Sequence, residues 1–573
     1  MLLRRLPSRA QSTLSTHHIF AKRPLNKPPV TSIPTHVLLQ DLGYVNQPSA
    51  GTAHWLPLGL RVLRRVENII RTRMDEIGGE EFELSSLSGR ALWEKTGRWG
   101  NTELFKMNVN DKDNADFCLA PTHEEEITEL LRLAGVSYKD LPVLTYQMTR
   151  KYRFEKRPRG GLLRGREFLM KDAYSFDKDQ RGALEMFDKV NGAYWKIFKD
   201  LKVPFEKAVA DSGDIGGNLS HEWHFVHENG EDLLFKCDEC GYVSNVEKTI
   251  SLPEEGEYAE SADVVYGLTK DGDTLVAAYY PRGRTFAPNM LKSEIEDLDL
   301  SSLSLPAETV IEKFSANEDE MILKKFVRIM DSRISDRTDL PDFPFKTFQK
   351  NNFTLITDTC LVEAVEGEYC EECGEGKLQG MNAIEVGHTF YLGKRYSDPM
   401  GAKFASQENK LESFEMGCYG IGVSRIVAAI AEMTRDDEGL VWPSSIAPYD
   451  VALVEAPKVD QEYMKELKES LGEKKLRLME DKRDKIGFGA KMGSARMHGI
   501  PIIAVVGKKW PLVELEIRGM RWDQSKEEYE YEKIMDEKAG EYQWTVETDG
   551  AVEKHFVHKD HVGDVVGALL KDL

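Results

Sequence analysis

Arginine is concentrated between residues 150 and 168, where the chain reads RKYRFEKRPRGGLLRGREF. The six arginines within 17 positions are Arg150, Arg153, Arg157, Arg159, Arg164 and Arg166. A guanidinium group can bind two oxygens of one phosphate or carboxylate at the same time. Phe168 could stack on a base. A charged hairpin exposed to water is the alternative interpretation, but the number of arginines and the apolar segments on both sides favour a polyanion-binding loop.

Other nucleotide-binding signatures give little support. The sequence contains no G-x-x-x-x-G-K-[ST] loop and no strand–GxGxxG–helix unit. The segment GCYGIG at residues 417–422 is one glycine position short of the latter and leads into a predicted helix that carries Arg425.

The segments around the arginines predict the elements that would hold them. Residues 141–155 and 166–177 alternate apolar and polar side chains, which predicts antiparallel strands joined by a Gly, Pro and Arg loop. Residues 121–134 predict a capped helix with acids in its first turn. Further predicted elements are helices at 57–74 and 180–201 and a short strand at 81–87.

Two cysteine pairs of the form C-x-x-C lie about 130 residues apart, Cys237 with Cys240 and Cys370 with Cys373. They could form a tetrahedral structural zinc site if the fold brings them together. The wide separation and the acids next to the cysteines favour reduced thiols, or the remains of a former site, instead.

The 573-residue chain has a net charge of −21, which argues against a polyanionic partner at long range. Affinity for nucleic acid depends on local clusters, and residues 474–498 carry one beside Phe488. Its members are Lys474, Lys475, Arg477, Lys482, Arg483, Lys485, Lys491 and Arg496. Since no run approaches the ~18 apolar residues of a membrane span, we expect a soluble protein of about three or four domains.

The N-terminus departs from this acidic composition. Residues 1–40 contain no Asp or Glu but hold Arg4, Arg5, Arg9, Lys22, Arg23 and Lys27. This composition is typical of a mitochondrial transit peptide. A basic arm that binds RNA is the alternative, and a secretory signal is disfavoured because no apolar core segment follows the charges.

Six segments together resemble the bacterial-type prolyl-tRNA synthetases, a family of class II aminoacyl-tRNA synthetases. Residues 152–176 are similar to motif 2, residues 417–432 to motif 3, and residues 120–128 to the Thr-x-Glu amino acid loop. Further similar segments are 211–223, 385–393 and 481–501. The resemblance covers nearly all of residues 37–573, less clearly the acidic, Ser-rich stretch from 251 to 375.

The resemblance implies roles for individual residues. Arg153 would hold the α-phosphate and the amino acid carboxylate and Arg425 the γ-phosphate side, which makes them the expected catalytic residues. The expected ATP contacts are Arg153, Glu155, Arg164, Phe168, Glu385 (through Mg²⁺) and Arg425. The expected contacts to proline are Thr122, Glu124, Arg153, His221 and Cys418. For His221, and for His388 in another matched segment, a structural role is the alternative.

The resemblance also implies the organisation of the chain. We expect a transit peptide at 1–30, an α+β catalytic domain with a mostly antiparallel sheet at 31–250 and 376–447, an inserted module at 251–375, and a C-terminal α/β anticodon-binding domain at 448–573. The implied activity is that of a proline--tRNA ligase in the mitochondrial matrix, as a homodimer that uses L-proline, ATP, Mg²⁺ and tRNA(Pro).

Two departures and two alternatives accompany this hypothesis. Ser85 stands where the motif 1 strand usually ends in proline, and the inserted module is shorter than the bacterial editing module, so we expect no hydrolysis of mischarged alanyl-tRNA. The alternatives are another class II synthetase, of the threonyl or seryl type, and a non-catalytic tRNA-binding paralogue.

Overall fold

The computed structural model describes residues 14–15, 30–109, 115–213, 215–217, 219–254, 256–316, 324–345, 352–483, 486–523, 526, 528–549 and 552–573. Apart from residues 14–15 and 30, the transit peptide expected at 1–30 lies outside these ranges. The chain divides into two compact units, Met1–Pro204 with Tyr391–Leu573, and Phe205–Phe390. No helix among the described residues is both long enough and apolar enough to cross a bilayer.

An antiparallel hairpin is the centre of the first unit. Strands Val143–Tyr152 and Glu167–Asp177 pair along their whole length, and Glu415–Ile421 adds to the second of them, so that Cys418 lies opposite Tyr174. The short strand Glu80–Glu81 joins the other edge in parallel. The predicted pair of antiparallel strands is confirmed.

The first unit has three long helices, Pro57–Glu76, Gln180–Asp200 and Val423–Thr434; the last two pack against this hairpin, and the first packs against both of them. The first begins with a proline, whose fixed φ suits a helix start. The second is capped by the Asp179 side chain, which accepts from the Gly182 N–H at 2.8 Å. The predicted helices at 57–74 and 180–201 are thus confirmed.

Two local predictions are wrong. Helix Glu124–Ala134 begins with three acids, as expected, but no side chain caps it. The predicted strand at 81–87 is instead two short strands, because Glu80–Glu81 pairs with the hairpin whereas Leu87–Gly89 pairs with Phe117–Leu119. The first unit also contains helices Thr35–Asp41, Arg90–Lys95 and Ser397–Met400, and strands Val45–Asn46, His54–Trp55, Phe105–Met107, Phe117–Leu119, Lys403–Ala405 and Leu411–Ser413.

The C-terminal part of the first unit is an α/β layer, as the resemblance implies for residues 448–573. The strands of its sheet, in spatial order, are Leu14–Ser15, Leu478–Glu480, Val451–Glu455, Ile502–Val506, Leu512–Ile517, Val552–His558 and Thr545–Asp549. The first four are parallel and the others antiparallel. The helices are Gln461–Glu473, Phe488–Met497, Glu530–Tyr542 and Val562–Asp572.

The second unit holds two main sheets. One has strands Leu219–Val226, Glu206–Val209, Val243–Asn245, Asp232–Cys237 and Leu378–Gly393. The other lies inside the stretch 251–375 and has strands Leu298–Asp299, Ala262–Thr269, Thr274–Pro281, Lys325–Asp331 and Phe353–Thr359, with helices Pro288–Glu294 and Ala307–Ser315. Ser251–Leu252 and Tyr369–Cys370 form a small ladder at the ends of that stretch.

Candidate active site

A buried carboxylate, that of Glu124, organises one pocket of the first unit. Its Oε1 accepts from the Thr122 hydroxyl at 2.8 Å and from the Cys418 thiol at 3.0 Å. Its Oε2 accepts from Arg98 at 3.2 Å. The structure therefore brings together Thr122, Glu124 and Cys418, which the sequence analysis assigned to one ligand. A buried carboxylate beside a hydroxyl can receive the N–H groups of a small ammonium ion.

Arg98 is the partner that the sequence analysis missed. Its guanidinium bonds to Glu124 and, at 3.1 Å, to Glu125, and it lies 5.0 Å and 5.5 Å from the ring centres of Trp93 and Tyr396. Burial acts to lower the pKa of Arg98, but the charges of Glu124 and Glu125 outweigh it and raise that pKa above its usual range. Three consecutive acids, Glu124 to Glu126, were the available signal, because buried carboxylates need a cation.

A second polar network fixes the same loop from the hairpin. The Lys151 ammonium, fully buried, contacts Asp172 at 2.7 Å and donates to His123 Nδ1 at 2.8 Å. The Tyr174 hydroxyl donates to Asp172 and accepts from the His123 backbone N–H, both at 2.9 Å. Burial acts to raise the pKa of Asp172, but Lys151 and His123 overcome it and hold that pKa well below its usual range.

The arginine-rich loop turns through two glycines. Gly160 and Gly161 have φ of +60° and +65°, and a side chain on Gly161 would meet His36 at 2.7 Å. Across the loop, the Arg164 Nε donates to the Glu155 carboxylate at 2.6 Å. This bond lowers the pKa of Glu155 below its usual value. The predicted residues Glu155 and Arg164 are therefore direct partners.

The other predicted residues of the arginine-rich site also converge. The Arg153 guanidinium lies 5.2 Å from the centre of the Phe168 ring. The Arg425 Nε donates to the Leu163 carbonyl at 2.7 Å, which attaches the helix after strand Glu415–Ile421 to the loop. The two halves of the site are adjacent, because the Tyr152 N–H donates to the Ala120 carbonyl at 3.2 Å.

Two predicted residues, His221 and Glu385, belong to the second unit. Burial lowers the pKa of His221 to about 4, so the imidazole is neutral at physiological pH. Glu385 lies 3.5 Å from His388 Nδ1, and Glu222 lies 3.6 Å from the same atom. The ligand atoms of these three residues all lie within 4.8 Å of one another.

The cysteine pairs also lie in the second unit and do converge. The Sγ atoms of Cys237, Cys240, Cys370 and Cys373 lie within 4.8 Å of one another. The fold thus meets the condition that the sequence analysis set for a zinc site.

The basic segment 474–498 is largely neutralised within the fold. Its ion pairs are Lys474 with Asp564, Arg477 with Asp450, Lys482 with Glu480, Arg483 with Asp481 and Arg496 with Glu516. Lys485 lies outside the described residues. Contact of this segment with single-stranded bases stays a prediction, and any such contact would compete with these acids.

Known proteins match this chain over nearly its whole length. The family profile "tRNA synthetase class II core domain (G, H, P, S and T)" matches residues 105–434. The chain is 44% identical to the probable mitochondrial proline--tRNA ligase of Saccharomyces cerevisiae, over 97% of this chain and 98% of that one. It is 44% identical to the cytoplasmic proline--tRNA ligase of Candida albicans, over 94% and 95%, and 35% identical to the proline--tRNA ligase of Aquifex aeolicus, over 89% and 96%.

Solved structures share the fold. The chain is similar to the prolyl-tRNA synthetase of Cryptosporidium parvum complexed with halofuginone and AMPPNP, with a TM-score of 0.57 and 13% identity, over 95% of this chain and 78% of that one. The same enzyme complexed with L-proline and AMP matches with the same TM-score and identity. At this identity the likeness shows the fold alone.

Removing Arg98 should destabilise the first unit strongly. Arg98→Met leaves the buried carboxylates of Glu124 and Glu125 without their cation, so we expect a loss of about 3–5 kcal/mol in the free energy of unfolding. The loss should grow as the pH rises, because burial raises the pKa of Glu125 and its protonation at lower pH relieves the repulsion with Glu124. Urea denaturation measures it. Arg90→Met, which breaks an exposed pair with Glu94, is the control and should cost less than about 1 kcal/mol; equal losses would contradict this account.

Glu126 should make stability depend on pH. Burial, and then the charge of Glu125, raise the pKa of Glu126 to about 8. The contribution of neutral Glu126 to the free energy of unfolding is fully present below its ordinary pKa of 4.5 and is lost as the pH rises through 8. The melting temperature of Glu126→Gln relative to the wild-type protein should therefore increase between pH 5 and pH 8.5. A difference that stays constant over this range would refute the shifted pKa.

Proposed function

Because the chain belongs to the class II aminoacyl-tRNA synthetases, and within them to the proline--tRNA ligases, we propose that it activates L-proline with ATP to prolyl-adenylate and transfers the prolyl group to tRNA(Pro). The observation that carries this proposal is the buried Glu124 carboxylate, held by Thr122, Cys418 and Arg98 next to the arginine-rich loop.

The Glu124 pocket suits the amino group of proline. A secondary ammonium has two N–H donors, and the Thr122 hydroxyl and the Glu124 carboxylate offer oxygen acceptors side by side. Cys418, buried like both of them, supplies a small apolar surface for the ring. Arg98 holds Glu124 in place, so the acceptor is positioned before the substrate arrives.

The arginine-rich site suits the activation step. Arg153 binds the proline carboxylate and the α-phosphate, so that a carboxylate oxygen can attack the α-phosphorus in line while pyrophosphate leaves. Phe168 stacks on the adenine, and Arg425 binds toward the γ-phosphate. Glu155 and Arg164 are already paired with each other; the Glu155 carboxylate accepts from the adenine, and the Arg164 guanidinium donates to the phosphate chain.

Carboxylate oxygens are the ligands that Mg²⁺ prefers, and the cluster of Glu222 and Glu385 offers two such groups within 4.8 Å. These residues would hold the ion, which on binding neutralises phosphate charge. His221, neutral and half-buried, is assigned to the proline side of the reaction on the strength of the family motif alone.

The remaining assignments are part of the same proposal. Residues 448–573 bind the anticodon, the catalytic domain comprises 31–250 and 376–447 around the inserted module 251–375, and two copies form a homodimer. The second step is attack of a ribose hydroxyl of the tRNA's terminal adenosine on the prolyl-adenylate, for which positioning supplies much of the rate.

We assign the chain to the mitochondrial matrix on its N-terminal composition. One 44% identical relative is named mitochondrial and another cytoplasmic, so the relatives' names leave the compartment open. The acid-free, arginine-containing residues 1–40 favour import, with residues 1–30 as the transit peptide.

ATP–pyrophosphate exchange tests the enzymatic proposal. We expect strong exchange with proline, none with threonine or serine, and a loss of about 10²-fold or more in Arg153→Ala, because this charge acts on the reacting carboxylate and phosphate. Arg150→Ala, which breaks an exposed ion pair with Glu167, is the matched control and should keep the exchange activity with proline. Exchange with none of the three amino acids would favour the non-catalytic paralogue.

The assignment to mitochondria can be tested by fluorescence microscopy. Residues 1–40 fused to a fluorescent protein should accumulate in mitochondria of a eukaryotic host cell, because the cationic segment is recognised by the import machinery. The same fusion with Arg4, Arg5 and Arg9 changed to Glu should remain in the cytosol. Cytosolic fluorescence from both fusions would remove the basis for this location.

A further inference from the structure

Two loops of the second unit have the same sequence pattern and the same backbone geometry. They read Cys237-Asp-Glu-Cys240-Gly241 and Cys370-Glu-Glu-Cys373-Gly374. The glycines have φ of +70° and +71°, and their N–H groups donate to the carbonyls of Cys237 (3.2 Å) and Cys370 (2.8 Å). The two segments, about 130 residues apart in the chain, therefore fold into the same turn.

The four sulfur atoms are spaced as ligands of one ion. Cys237 and Cys373 are 3.6 Å apart at Sγ, and Cys240 and Cys370 are 4.0 Å apart. Four thiolates at about 2.3 Å from a tetrahedral zinc ion lie about 3.8 Å from one another. Both contacts cross between the loops, so each loop contributes two ligands to a common centre.

A backbone N–H group points at one of the sulfurs. Gly376 donates to the Cys373 Sγ at 3.3 Å. Such a bond stabilises thiolate charge and orients a metal ligand. It is formed here by the turn that follows Cys373.

Close packing keeps the loops together. A side chain on Gly376 would lie 2.3 Å from the Cys237 Sγ, so this approach requires glycine. The Asp238 carboxylate accepts from the Lys377 N–H at 2.7 Å, which ties one loop to the strand that follows the other. Cys237 and Cys370 are buried against an apolar cluster that includes Phe235 and Leu378.

The acids between the cysteines do not oppose this arrangement. Asp238, Glu239, Glu371 and Glu372 are all exposed to water, where their charges are screened. The acids next to the cysteines therefore do not argue against a zinc site in the folded chain.

We propose that Cys237, Cys240, Cys370 and Cys373 bind one Zn²⁺ as four thiolates, and that this ion joins the two ends of residues 241–369, the segment between the two cysteine pairs. Binding displaces the thiol protons to solvent and forms four Zn–S bonds, with no change in oxidation state. Because all four positions are filled by protein, the ion is structural and not catalytic. The segment that it closes contains the five-stranded sheet, and cross-links that close long loops restrict the unfolded chain most.

Metal analysis of the purified full-length protein tests the proposal. We expect about one zinc per chain in the wild-type protein and in Cys360→Ser, a control cysteine of the same unit that lies outside the cluster. Cys240→Ser, at the exposed ligand, should lose most of the zinc. Reconstitution of the wild-type protein with Co²⁺ should give the intense near-ultraviolet absorption of thiolate-to-cobalt charge transfer, and this readout does not depend on any variant folding.

Three results would overturn the zinc site: a zinc-free wild-type protein with seven free thiols, a zinc-free protein with a disulfide among the four cysteines, or equal zinc in Cys240→Ser and the wild type. A further consequence is that chelation of the zinc should make the segment 241–369 more sensitive to limited proteolysis. Unchanged cleavage after complete zinc removal would contradict the role of the ion in closing this segment.

Discussion

Burying the Glu124 carboxylate is the constraint on which the first unit depends. A carboxylate removed from water is costly unless cations and hydrogen-bond donors surround it. Here Arg98 approaches from one side and the Thr122 hydroxyl and Cys418 thiol from the other. The helix that begins at Glu124 can start inside the protein only because these partners are present.

The hairpin satisfies a related requirement on the neighbouring residue. His123 is completely buried, and its ring and backbone bond to Lys151 and Tyr174, which both meet Asp172. The Lys151–Asp172 ion pair and the hydrogen bonds of His123 and Tyr174 attach the loop that carries Thr122 and Glu124 to the hairpin. Buried polar networks of this kind rigidify a site. The proposed proline pocket and the proposed ATP loop are both attached to the hairpin strands Val143–Tyr152 and Glu167–Asp177.

The second unit uses a different device to hold a long insertion. The stretch 251–375 is too acidic and too weakly periodic for its sheet to be read from the sequence, yet it folds around strands Ala262–Thr269 and Thr274–Pro281. Its ends meet at the small ladder Ser251–Leu252 with Tyr369–Cys370 and at the cysteine cluster. A metal at that point would hold the ends without requiring a larger core.

The sequence by itself determined the hairpin, the three long helices and the family, because periodicity and motifs are local properties of the chain. It also identified Thr122, Glu124, Arg153, Glu155, Arg164, Phe168, Cys418 and Arg425 as candidate residues. Only the tertiary structure decided that Arg98 is the cation beside Glu124, that Lys151 and Asp172 lie beneath the loop, and that the two cysteine pairs converge. These partners come from distant segments, and no local pattern encodes which buried charge will meet which. The arginine-rich stretch illustrates the difference: its composition indicated an anion site, but the pairing of Glu155 with Arg164 and the approach of Arg425 to Leu163 required the folded chain.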